Sequence, residues 1–123
     1  MTIDTNILIA YLGGDSEIVT TLSNWKALGR PLFLSAVVES EVLSFKAWTD
    51  QEKEATELFL EENFTPIPFD RALARVAAAI RRETKLKFPD AAIAATALYT
   101  LTPLVTRNVR DFKGIAGLRI FTL

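Results

Sequence analysis

Met1-Thr2-Ile3-Asp4-Thr5-Asn6-Ile7-Leu8 decides how the chain reads. A short apolar start runs directly into Asp4-Thr5-Asn6, and a helical pattern follows at once. That is how a parallel strand delivers a carboxylate to the edge of a sheet, since functional residues of open α/β sheets sit just beyond the carboxyl ends of the strands. Only three residues precede Asp4, so either the first strand is brief or the chain is trimmed at its start.

Downstream, the pattern alternates. Ile7 to Leu12 reads as a short helix stopped by Gly13-Gly14. Asp15 or Ser16 can cap a second, with Ile18, Val19, Leu22, Trp25 and Leu28 at helical spacing. Leu32-Phe33-Leu34 is a strand, and Ser35 can cap a helix from Ala36 to about Trp48. Asp50 is the expected cap of the next helix, to about Asn63. Phe64 to Pro68, with two prolines, suits an edge strand. Asp70 caps a helix to about Lys85. Pro89 suits the first turn of another, Ala91 to Thr100, apolar nearly all round and expected to be buried. Leu104-Val105-Thr106 is a strand, Arg107 to Phe112 a loop with a possible helical turn, and Arg119 to Leu123 a last strand. Strands alternating with helices predict one α/β domain over 1–123, a mostly parallel central sheet with helices on both faces.

Composition narrows the chemistry. The 123 residues include no Cys and no His. Thiol nucleophiles, disulfides, thiolate zinc sites and Ser-His-Asp triads are therefore excluded. Catalysis must rest on carboxylates, Lys, Tyr, hydroxyls or a hard oxygen-bound cation. No apolar run approaches the ~20 residues of a membrane span, and no signal-peptide pattern opens the chain, so a cytoplasmic protein is expected. Net charge is −1, but unevenly spread. Asp50 to Glu62 is acidic apart from Lys53. Arg71 to Lys87 is basic apart from Glu83 and ends at Pro89-Asp90. Such runs are ordinarily solvated helix faces; Arg81, Arg82, Lys85 and Lys87 are also placed to hold an RNA backbone beside Asp90, through phosphate contacts that give affinity and not sequence choice.

Four acids stand at comparable places: Asp4 after the first strand, Glu41 in the helix after the second, Asp90 opening the Ala-rich helix, and Asp111 beyond Leu104-Val105-Thr106. Around one cleft they would repel each other, and Mg²⁺ or Mn²⁺ would relieve that. Blander readings exist. Asp90 can be a cap, Glu41 a surface residue, and Asp111 the partner of Arg107 or Arg110. Asp4 is harder to dismiss, because a carboxylate directly after a buried strand is costly unless something engages it.

In combination, Asp4-Thr5-Asn6, Ser35 with Glu41, Pro89-Asp90-Ala91-Ala92-Ile93-Ala94-Ala95-Thr96-Ala97-Leu98, and Leu104-Val105-Thr106-Arg107-Asn108 with Asp111-Phe112 resemble the PIN-domain family, and within it the VapC-type toxins. The resemblance runs in order over essentially the whole chain. It implies a PIN-like three-layer sandwich, a metal-dependent ribonuclease of a toxin–antitoxin pair, a cognate antitoxin laid in an apolar groove, expected beside the helices from Ser16 to Asn63, and a homodimer. By matched position Asp4, Glu41, Asp90 and Asp111 are its acidic metal-binding set, with Thr5, Asn6, Thr106 and Asn108 as supporting polar residues. Glu39 does not match. Two alternatives are weighed. One is a non-catalytic interaction module that presents Trp25, Phe45, Trp48 and Phe59. The other is a haloacid-dehalogenase-like phosphatase using Asp4 as nucleophile, whose second Asp is replaced by Asn6.

Overall fold

A computed structural model describes all 123 residues. Twelve elements follow in order: β1 (Thr2–Ile3), α1 (Thr5–Leu12), α2 (Ser16–Ala27), β2 (Phe33–Ser35), α3 (Ala36–Leu43), α4 (Asp50–Asn63), β3 (Thr65–Ile67), α5 (Arg71–Glu83), α6 (Phe88–Thr100), β4 (Leu104–Val105), α7 (Val109–Phe112) and β5 (Ile120–Phe121). The strands form one sheet in the order β3-β2-β1-β4-β5, with every pair parallel. β1 to β3 step one way across the sheet, and the chain then returns to β4 and β5 on the far side. Because the two crossovers run in opposite directions across the sheet, right-handed connections place their helices on opposite faces. This is the three-layer α/β architecture that the sequence predicts.

The order of strands reverses between β1 and β4. A crevice opens there at the strands' carboxyl ends. Thr2 pairs with Leu104 and Ile3 with Val105, so the next residues, Asp4 and Thr106, are brought side by side. The Asp4 N–H donates to the Val105 carbonyl at 3.1 Å, continuing the ladder one step past the strand.

α6 lies at the centre of the packing. Ala91 through Ala97 are all buried, so this helix has no polar face along that stretch. Its small side chains let it approach β1, β2, α3 and α5 closely. Thr96 is the one polar side chain in the run, and its hydroxyl donates to the Ala92 carbonyl at 2.9 Å, which satisfies it inside the helix. Asp90 is carried on the first turn of this buried rod.

Several boundaries differ from the sequence reading, each for a local reason. α1 starts at Thr5 and not Ile7, because Asp4 is itself the N-cap. α3 stops at Leu43 and does not reach Trp48: Ser44 caps it with its hydroxyl on the Glu41 carbonyl, and the Trp48 indole N–H takes the Val42 carbonyl at 2.9 Å. The cap of α4 is Thr49, not Asp50, in a reciprocal box with Glu52. Of the aromatic residues proposed as partner surface, Trp25 is buried against Phe121. Phe59 packs among Tyr11 and Phe64. Phe45 is exposed and Trp48 half-buried.

Candidate active site

Asp4 is 4% exposed and sits at the switch point. Its Oδ1 accepts the Thr5 N–H at 2.8 Å, which caps α1. Its Oδ2 accepts the Thr106 hydroxyl at 2.6 Å, across 102 residues of sequence. Burial pushes the Asp4 carboxyl above its ordinary range, and the bonds from Thr106 and Thr5 hold it down only partly.

The network continues both ways. The Thr5 hydroxyl donates to Glu41 Oε1 at 3.2 Å. Thr106 Oγ1 accepts the Asn108 N–H at 2.9 Å, and Asn108 Nδ2 donates to Asp111 Oδ2 at 2.7 Å. Glu41, Thr5, Asp4, Thr106, Asn108 and Asp111 are thus joined in one polar chain drawn from α3, α1, β1, the end of β4 and α7. Glu41 is delivered by Ser35, buried at the end of β2, whose hydroxyl accepts the Val37 N–H at 3.2 Å and starts α3.

Asp90 stands apart from that chain and makes no side-chain hydrogen bond. Partial burial raises its carboxyl, and the charges of Asp4, Asp111 and Glu41 raise it further, in that order. All four acids therefore act on one locality. As the side chains stand, no three of them converge tightly enough to form a ready ligand set.

Other expectations are corrected. Asp111 pairs with neither arginine: Arg107 is bound to Asp15 at 3.0 Å, and Asp111 takes Asn108 instead. Asn6 is exposed and forms no side-chain hydrogen bond, so it stands outside the polar chain that links the other supporting residues. Of the basic run, Lys85 and Lys87 line a cleft of about 570 Å³ with Leu86, Asp90, Arg110 and Asp111, while Arg81 and Arg82 lie outside it. Arg110 is the lining residue that sequence reasoning missed as a binding group, because beside Asp111 it read as that residue's counter-ion.

A second concavity, about 360 Å³ and largely apolar, is lined by Ile9, Leu12, Gly13, Val42, Phe45, Ala47, Trp48 and Glu52. It lies between α1, the end of α3 and the start of α4, without α2.

With this geometry in view, comparison with known proteins is direct. The sequence model of the PIN domain matches residues 1–118, and the chain belongs to the PIN-domain family. Among solved structures, a toxin–antitoxin complex from Klebsiella pneumoniae contains a chain 34% identical, with a TM-score of 0.81, covering 99% of this chain and 98% of that one. VapBC2 from Rickettsia felis bound to a promoter DNA fragment is similar at TM-score 0.85 and 21% identity, over 99% and 97% of the two chains. DNA-bound VapBC from Salmonella typhimurium gives 0.83 and 21%, over 98% and 96%. No curated protein sequence matches the chain. No helix is long and apolar enough to cross a membrane.

Proposed function

We propose that this chain is the toxin of a VapBC-type pair and an endoribonuclease that uses Mg²⁺ or Mn²⁺ at Asp4, Glu41, Asp90 and Asp111. Membership in the PIN family and the 34% identity to a chain of a toxin–antitoxin complex support the class. The observation that carries the chemistry is Asp90, half-buried without a hydrogen-bond or ion-pair partner, its carboxyl raised by burial first and then by the charges of Asp4, Asp111 and Glu41. The four acids offer only hard oxygen donors, and none of them is neutralised by an ion pair. The looseness of the set suits Mg²⁺, which keeps several waters and takes only one or two carboxylates directly.

Asp4, Asp90 and Asp111 would hold the ion, directly or through water, and Glu41 would be a further ligand or orient the attacking water. A bound ion supplies a water of lowered pKa and neutralises charge developing on the phosphate. The chain's own part is positional. Thr5 and Thr106 fix both oxygens of Asp4, Asn108 fixes Asp111, and the buried α6 keeps Asp90 on a rigid mount. The apolar groove at Phe45 and Trp48 suits an apolar antitoxin segment, which makes partner binding a companion to catalysis and not its replacement. Homodimerisation rests on the family resemblance alone. The PIN assignment sets the phosphatase alternative aside.

The test is cleavage of a structured RNA pool with Mn²⁺, beside Asp90→Asn and a chelator control. Loss of cleavage in both is the expected result. Cleavage that survives Asp90→Asn refutes the assigned site.

A further inference from the structure

The cleft beside Asp90 carries charges of both signs: Asp90 and Asp111 line it together with Lys85, Lys87 and Arg110. Each sign comes from both sides, Lys85, Lys87 and Asp90 from the α5–α6 link and the start of α6, Arg110 and Asp111 from α7. Opposite charges sharing a cleft ordinarily pair, yet these do not. The chain's only ion pairs are Lys53–Glu57 and Arg107–Asp15, both elsewhere. Asp111 is instead taken by a neutral amide, Asn108.

Local structure keeps the cations in place. Thr84 ends α5, its hydroxyl donating to the Ile80 carbonyl and accepting the Leu86 N–H at 3.2 Å. Leu86 packs on the core, which anchors the short extended link between α5 and α6 with Lys85 and Lys87 exposed on either side. Arg110 is held by α7, whose Phe112 is wholly buried. Three unpaired cations on two anchored segments thus border the acidic set. Arg81 and Arg82, on the last turn of α5, do not reach the cleft.

We propose that Lys85, Lys87 and Arg110 form a phosphate subsite for the RNA backbone next to the scissile bond. This rests on the nuclease reading above. The acids face the phosphate that is cut, and Lys85, Lys87 and Arg110 take its neighbour on the same strand. Because the subsite reads backbone charge, it sets affinity and register without choosing bases.

The experiment is binding of a fluorescein-labelled single-stranded RNA of mixed sequence to the Asp90→Asn chain across a salt series, so that no strand is cut. Each phosphate contact contributes about −0.7 to the slope of log K against log salt for single strands. Lys85→Ala/Lys87→Ala/Arg110→Ala is expected to flatten that slope by about 2, the sum over three contacts. Arg81→Ala/Arg82→Ala is expected to leave it unchanged. The charge-conserving set Lys85→Arg/Lys87→Arg/Arg110→Lys is expected to keep the original slope, which separates lost charge from lost fold. An unchanged slope in the triple Ala variant overturns the subsite, as does equal flattening by the Arg81/Arg82 pair. RNA cleavage by the native chain, measured in parallel, reports the nuclease reading separately, since that reading can stand while this one falls.

Discussion

Asp4 is almost sealed from solvent, and each of its oxygens accepts one hydrogen bond. A hydrogen bond to a charged group contributes roughly 1.5–3 kcal/mol. Thr106→Val keeps the shape, strips the donor from Oδ2 and takes the acceptor from the Asn108 N–H. The expected loss is about 2 kcal/mol of unfolding free energy at neutral pH, measured by denaturant titration. It should shrink in acid, because the Thr106 bond favours the ionised carboxylate and matters less once Asp4 is protonated. At this scale the sequence was partly legible. Asp4 could be placed because an apolar strand followed at once by a helix leaves little choice for what lies between. Asn6, grouped with Thr5 by sequence, is turned out to solvent by the helix. The Thr106–Asp4 bond was hidden as well, since it depends on the register of two strands a hundred residues apart.

Elements were legible where one signal dominated. The run from Ala91 to Ala97 could only be a buried helix, and Thr65–Ile67, with its proline, lies at the sheet edge. Boundaries failed where a side chain outcompeted periodicity, as when the Trp48 indole takes the carbonyl of Val42 beyond the end of α3. One terminus invites a change. α6 ends at Leu101 with φ 56° and ψ 37°, a left-handed conformation, on a residue 81% exposed. Its side chain buries little there, while the backbone conformation costs about 1–2 kcal/mol for a residue with a Cβ. Leu101→Gly removes that strain and gives back about 0.5–1 kcal/mol through the freer unfolded chain. The expected net is a gain of up to about 1 kcal/mol, read as a rise in denaturation midpoint. The carbonyl that accepts Arg119 Nη2 is backbone and is kept.

For the whole molecule, the acidic cluster is a liability in the absence of cations. Asp90 and Asp4 both titrate above their ordinary range in the fold, Asp90 through burial and then its three acidic neighbours, Asp4 through burial. The folded state therefore binds these protons more tightly than the unfolded chain. Their contribution to stability falls as pH rises from the ordinary aspartate range through the folded values. Asp15 and Glu52, lowered by hydrogen bonds led by Arg107 and Thr49 respectively, act in the opposite sense. A comparison of variants isolates the effect. In chelator, Asp90→Asn should melt above the native chain at pH 7, and the gap should close as pH falls below the ordinary carboxylate range. Mn²⁺ should raise the native midpoint, through up to about 4 kcal/mol of added stability at a thousand times Kd, and leave the variant nearly unmoved. Strand order β3-β2-β1-β4-β5 also makes the first strand in sequence the middle one in space, and this bears on how the polypeptide is made. A chain still growing through Thr100 already carries Asp4, Glu41 and Asp90, but it lacks both the neighbour for one edge of β1 and the hydroxyl that holds Asp4. A polypeptide cut short there holds three of the four acids without β4, the strand whose end carries the Thr106 hydroxyl to Asp4.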